Sequence, residues 1–216
     1  MLFRSKKISL IQNKALELSM FLSIPASVAL VIASEQIISA LFGYGSFTES
    51  SVFNSANALY YFGLGLPAFA LIKVFSTFFF ANQDTKTPFY ISLVSVLLNI
   101  LISVYFFKDI GFIIIPIATT ISSWFNSLIL FIYLKNNNLF EFNKTFFKQF
   151  VKIIFASIII GIFFQYLILL FEYQLSYAYF FKSAYLLLCV LFTIIFYFTV
   201  SYFIKAFNYQ DIKLKY

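Results

Sequence analysis

The sequence predicts an all-α integral membrane protein, a single bundle of six transmembrane helices. Three observations predict this. The 216 residues are 62% hydrophobic and only 11% charged, whereas soluble domains carry about 25% charged residues. Apolar runs recur at about the 20 residues that a helix needs to cross the hydrocarbon core. None of them shows the period-2 alternation of a barrel strand. The spans fall at about 18–41, 57–80, 89–107, 112–134, 150–171 and 184–204.

Span one carries Pro25 near one end, with Glu17 and Glu35 at its two ends, where hydration at the interface is expected. "FGYGSFTESS" (Phe42–Ser51) follows as a turn, with two glycines and a Ser/Thr/Glu cluster. Span two carries Gly63, Gly65 and Pro67, breakers that membrane helices tolerate when neighbours or cavity water satisfy the freed backbone groups. Lys73 is the single charge well inside a span. An ammonium at the helix centre costs about 2.5–3.5 kcal/mol. It therefore either snorkels to the near interface or faces a water-filled cavity that receives an anionic group.

The joint "NQDTKTP" (Asn82–Pro88) is the most polar stretch near the middle of the chain. Thr87 followed by Pro88 is a helix-start signal, hydroxyl cap then proline at the first helical position. Asp84 is expected to accept backbone N–H groups within the Asn82–Lys86 turn or to pair with Lys86. Span three then places Ser92, Ser95, Asn99 and Ser103 on one face, and span four does the same with Thr119, Ser122, Ser123 and Asn126. At about 1.5 Å per residue, Asn99 is expected level with Ser123, and Ser103 with Thr119. Interhelical hydrogen bonding and close packing explain such stripes. The alternative is half of a cation site, but neither span holds a carboxylate.

The joint 135–152 is expected to lie at the interface as a short helix, with Phe140, Phe142, Phe146 and Phe147 in the headgroups. The last two spans follow, with the single Cys189 inside the sixth. One cysteine excludes a disulfide framework, and the absence of histidine removes the commonest general base and metal ligand. No nucleophile–base pair or metal cluster is visible, so an enzyme is the least favoured reading and no cofactor is expected.

The net charge of +7 orients the chain. Twelve basic residues flank one side: Arg4, Lys6, Lys7, Lys14, Lys86, Lys135, Lys144, Lys148, Lys152, Lys205, Lys213 and Lys215. Only Lys108 and Lys182 flank the other. The positive-inside rule then puts both termini and the "NQDTKTP" turn in the cytoplasm. Basic residues at the interface suit anionic lipid and are not a nucleic-acid footprint.

The string "LGLPAFALIKVFSTFFFANQDTKTPFYISLVSVLLNILIS" (Leu64–Ser103) resembles the MurJ/MviN family of lipid II flippases. "QNKALELSMFLSIPASVAL" (Gln12–Leu30), "LFGYGSFT" (Leu41–Thr48) and "IATTISSWFNSLIL" (Ile117–Leu130) agree with it. The resemblance runs from about Ile8 to Phe131; beyond that only hydropathy matches. It implies a fourteen-helix, two-lobed flippase of the multidrug/oligosaccharidyl-lipid/polysaccharide exporter superfamily, in the bacterial inner (cytoplasmic) membrane. Such a protein moves the undecaprenyl-pyrophosphate-linked peptidoglycan precursor from the inner to the outer leaflet by alternating access. This chain is similar to the last six helices. Its partners would be lipid II, membrane lipids and the N-terminal lobe, and the chain alone would be inactive.

The resemblance also implies a lipid-tail groove at spans five and six; in the full transporter Lys73 is the cavity candidate, and Asp84, Thr85, Lys86, Thr87 and Pro88 are expected to form a conformational turn. It places a sodium site on Asn99, Ser103, Ile115 and Thr119, with Ser123 in the same polar seam. Here Ser103 stands where the family has an acid. Coupling to Na⁺ or to the membrane potential is the corresponding expectation. An exporter of the same superfamily and a non-transporting scaffold subunit are the rival readings. The expected divisions are 1–17 as a cytoplasmic segment, 18–134 as four helices, 135–149 as an interfacial linker, 150–204 as two helices and 205–216 as a cytoplasmic tail. Within the first, "LFRS" (Leu2–Ser5) is what the adaptor end CTCTTCCGATCT encodes, so residues 1–5 are expected to be an assembly scar on a truncated frame.

Overall fold

The computed structural model describes residues 2–206, all of it helix and short turn. The long helices are α1 (Leu2–Ile32), α3 (Glu49–Ala81), α4 (Lys86–Ile110), α5 (Ile114–Asn136), α6 (Lys144–Leu170) and α8 (Lys182–Ile204). Two short ones, α2 (Ser34–Phe42) and α7 (Glu172–Leu175), sit at one end of the bundle. The basic tail expected over 205–216 lies outside the described residues from 207 onward. Five runs are long and apolar enough to cross a membrane. The run Lys86–Asn136 is 51 residues long and reverses at Gly111, whose φ of 74° opens the turn between α4 and α5. That gives six crossings.

Neighbours in sequence are not always neighbours in space. The packing order is α4, α5, α3, α1, α6, α8, with α2 laid against α3 and α8. Thus α4 leans on α5 rather than on α3, although the "NQDTKTP" turn joins it to α3. At the end of the bundle that holds this turn, Phe75, Phe78, Phe79, Leu130, Leu134 and Phe140 form one core with Leu16. At the other end, Ala33, Phe164, Leu167, Leu186 and Cys189 form a second.

Span one is not a single helix. The chain bends at Ala33 (φ −112°, ψ 22°) and restarts as α2. Pro25 has no N–H, so it leaves the carbonyl of Phe21 without its usual helical donor. The Tyr197 hydroxyl of α8 donates to that oxygen at 2.7 Å. Pro67 in α3 frees the carbonyl of Gly63 in the same way, and the Ser27 hydroxyl of α1 donates to it at 2.6 Å. Two more carbonyls of this stretch accept from α5, Tyr61 from the Thr120 hydroxyl (2.6 Å) and Leu64 from the Trp124 indole N–H (3.1 Å). Pro25 and Pro67 are thus each matched by a hydroxyl on another helix, as the bilayer demands. Gly63 is needed where α1 crosses, since a Cβ there would stand 3.1 Å from that of Leu30.

The joint after α5 departs from expectation. It forms no interfacial helix: α5 runs to Asn136, and α6 begins at Lys144 behind the Asn143 cap, whose side chain accepts from Thr145 N. The peptide between is pinned to α1. Gln12 Nε2 donates to Leu139 O (3.1 Å), and Asn13 Nδ2 to Glu141 O (2.9 Å). Phe140 and Phe146 are buried in the aromatic core, while Phe142 and Phe147 stay exposed. Burying two phenyl rings is worth more than leaving them among headgroups.

Candidate functional site

An apolar groove of 470 Å³ lies between α1, α6 and α8. Phe21, Leu22, Pro25 and Ala26 form one wall, Ile160 and Phe164 the second, and Val190, Ile194, Tyr197 and Phe198 the third. The polar atoms of its two hydroxyl residues are turned to backbone: Thr193 donates to Cys189 O (2.7 Å) and Tyr197 to Phe21 O. Pro25 thus lines the groove, and the bond that satisfies the carbonyl it frees turns the Tyr197 hydroxyl to backbone. What remains suits a hydrocarbon chain and offers a polar ligand nothing.

The turn between α3 and α4 has the expected backbone bonds to Asp84 but not the expected cap. α3 ends with Gln83 in the left-handed region (φ 61°) and Asp84 N donating back to Phe79 O at 3.1 Å. α4 starts at Lys86, and Thr85 makes no side-chain cap bond. The cap is Asp84: its Oδ1 accepts from Lys86 N (3.1 Å) and Thr87 N (3.0 Å). Thr87 is therefore not the N-cap, and Pro88 is the third residue of α4, still in the first turn where no backbone N–H is needed. A carboxylate outcompetes a hydroxyl here because it carries full charge against the N–H groups of the helix start. The Thr87 hydroxyl and then the Thr87 N–H hold the Asp84 carboxyl below its ordinary value of 3.8; Lys86 contributes least.

Asn99, Ser103, Ile115 and Thr119 come together at the α4–α5 seam. Asn99 Nδ2 donates to Thr119 Oγ1 (3.0 Å) and to Ser122 Oγ (3.3 Å), and Ser103 Oγ donates to Asn99 Oδ1 (3.4 Å). Thr119 in turn donates to Ile115 O (2.8 Å). Asn99, expected level with Ser123, bonds Thr119 and the adjacent Ser122, while the Ser123 hydroxyl bonds Thr119 O (2.6 Å). These oxygens are neutral and already engaged with one another. As a set they do not fit a bare cation, which would need a carboxylate from elsewhere.

Lys73 is exposed on α3, with no bonding partner among the described residues. Two charged residues behave otherwise than expected. Glu17 is buried beside Lys14 (3.5 Å) rather than hydrated at the interface. Lys182, expected in a wet joint, is 1% exposed. Its Nζ donates to Gly43 O (2.6 Å) and Tyr177 O (2.7 Å) and lies over the rings of Tyr44 and Tyr177. The flanking "SYAYFF" (Ser176–Phe181) is the signal that could have found it, since tyrosines beside a lysine can satisfy a buried ammonium.

Six apolar crossings, prolines inside two of the long helices and an apolar groove between helices define a polytopic helical membrane protein. The chain belongs to the lipid II flippase MurJ family: the model of that description matches residues 3–191. A probable lipid II flippase MurJ of Rickettsia prowazekii is 31% identical over 210 residues, which is 93% of this chain and 40% of that protein. One of Rhizobium meliloti is 39% identical over 121 residues, covering 56% of this chain and 23% of the relative. A solved structure, lipid II flippase MurJ in an inward closed conformation, superposes with a TM-score of 0.74 at 26% identity. That match covers 96% of this chain and 40% of the other. The chain thus spans about two fifths of the length of such relatives.

Proposed function

We propose that these residues serve as one lobe of a lipid II flippase in the bacterial inner membrane, with both ends and the Asp84 turn on the cytoplasmic side. The carrying observation is the hydrocarbon groove between α1, α6 and α8, in a chain whose relatives are named for moving a lipid. In this reading the groove takes the prenyl tail of the precursor. Lys73 stands on the open face of α3, where an ammonium can meet the pyrophosphate. The Asp84-capped turn holds α4, and with it the Asn99 seam, in register on α5. Coupling to Na⁺ or to the membrane potential then needs an acidic group supplied by the rest of the transporter.

Complementation of cells depleted of their own flippase tests this. The 216 residues alone are expected to fail, and the corresponding longer protein to succeed. Ala26→Trp in the longer protein, which fills the groove from an exposed position, is expected to abolish rescue at unchanged membrane abundance. Rescue by the 216 residues alone, or full rescue by the Trp variant, contradicts the reading.

A further inference from the structure

We propose that Lys182 is a positioning residue for the groove, clasping the ends of its three walls together on one ammonium. α2 continues the first wall past the bend at Ala33 and brings Ile37 into the lining. The segment through α7 continues α6, and Lys182 itself opens α8. Its Nζ donates to Gly43 O at the end of α2 (2.6 Å) and to Tyr177 O just past α7 (2.7 Å). The ring centroids of Tyr44 and Tyr177 lie 4.4 and 4.6 Å away. Ser183, next along α8, donates to Ala40 O (2.8 Å) and bonds the Tyr44 hydroxyl. The last carbonyls of a helix have no helical donor, and a positive charge at that end is favoured. Two adjacent residues of α8 thus complete the end of α2. A Cβ at Gly43 would stand 3.2 Å from Nζ, so α2 ends on a residue that lets the ammonium in.

A buried ammonium is a costly way to join helices if packing is the only need. Lys182 is 1% exposed, and no carboxylate pairs with it among the described residues. Carbonyl oxygens and ring faces replace its water, so moving any one of them leaves a buried charge short of partners. The spacing of α2 and α8 is therefore fixed at this end. Its place in the bundle turns that into a property of the groove. Among the described residues, hydrogen bonds tie α8 to α1, α2 and Tyr44 at two levels only. Lys182 and Ser183 make them at one end, and Tyr197 makes one to Phe21 O at the other. The groove walls Val190, Thr193 and Ile194 lie between, where no hydrogen bond joins α8 to α1 or α2. Releasing Lys182 frees α2 to swing about Ala33 and widens the groove from that end. The consequence for transport rests on the reading of the groove as the tail site; the clasp itself does not.

The test is a pair of spin-label distances in the 216-residue chain in nanodiscs, in a Cys189→Ala background. Labels at the exposed Leu41 of α2 and Leu187 of α8 report on the clasp end. Labels at the exposed Leu18 of α1 and Phe203 of α8 report on the Tyr197 end. In Lys182→Met the first distance should lengthen by about 2 Å, the scale of helix shifts, and the second should stay. Tyr44→Leu, which removes one ring of the cage at an exposed position, should lengthen the first distance by less, and it decides the matter if Lys182→Met does not fold. Lower stability with both distances unchanged, or both distances lengthening together, overturns the proposal. A second arm reads the consequence in the longer protein with a lipid II analogue photoreactive in its tail. Lys182→Met should lose adducts at Ile37 and Val190 and keep those at Leu22 and Phe198. No tail adducts in the parent protein would sink the flippase reading and leave the clasp to be judged by the distances.

Discussion

The hydroxyl of Tyr197 illustrates how single atoms hold this bundle together. It donates to the carbonyl that Pro25 frees, and without it that oxygen faces hydrocarbon. Tyr197→Phe is expected to destabilise the chain by about 0.6–1.7 kcal/mol, the range for hydrogen bonds between membrane helices. In a Pro25→Ala background the helical N–H returns, so the same substitution should cost markedly less. Unfolding of the four variants in detergent measures this coupling, and a coupling of zero would show that the bond does not compensate for the N–H that Pro25 lacks. Asp84 is the second case. Its carboxyl is held below its ordinary value in the folded chain, so its contribution to the α4 start is complete above pH 3.8. That contribution is lost as pH falls through the folded value. Asp84→Asn should flatten the acid side of the stability profile, whereas Thr85→Val should leave it alone, because Thr85 makes no cap bond.

Among the elements, the long helices and their periods were legible, because about 20 apolar residues in a row have few other fates. What was not legible was how backbone gaps are closed. The sequence shows Pro25 and Pro67, but Tyr197 lies 172 positions beyond Pro25, and only the fold brings the two together. The cap was misread for a local reason. Asp84 precedes α4 and Thr87 lies in its first turn, and the charged group wins the N–H groups at the helix start. The joint after α5 was misread because Phe140 and Phe146 look interfacial by spacing, yet the Gln12 and Asn13 side chains hold that peptide against α1 and turn the rings inward. Orientation is a property at this scale. In intact cells, single cysteines at Ser46 and Glu172 should be labelled by an impermeant reagent, and one at Thr85 should not. Labelling at Thr85 alone would invert the topology.

At the level of the whole molecule, the row α4–α5–α3–α1–α6–α8 leaves α3 open on the side that carries Lys73 and sets the hydrocarbon groove beyond α1. A headgroup and a tail of one lipid would then be handled on different parts of the same lobe. Sequence reasoning pointed to a groove at spans five and six only through family likeness, since apolar lining looks like any other membrane helix face. Lys73 was legible from its residue type alone, as a charge in the middle of a span. Lys73→Gln in the longer protein should lower transport at unchanged abundance if its ammonium meets the pyrophosphate, and should have little effect if it only snorkels. The most direct measurement is photocrosslinking of a lipid II analogue, with a photoreactive group in its prenyl tail, to the longer protein in membranes. The expected adducts fall on Leu22, Ile194 and Phe198 in the groove and disappear in Ala26→Trp. Adducts confined to the outer face of α4, or unchanged by the Trp variant, would contradict a lipid-tail groove between α1, α6 and α8.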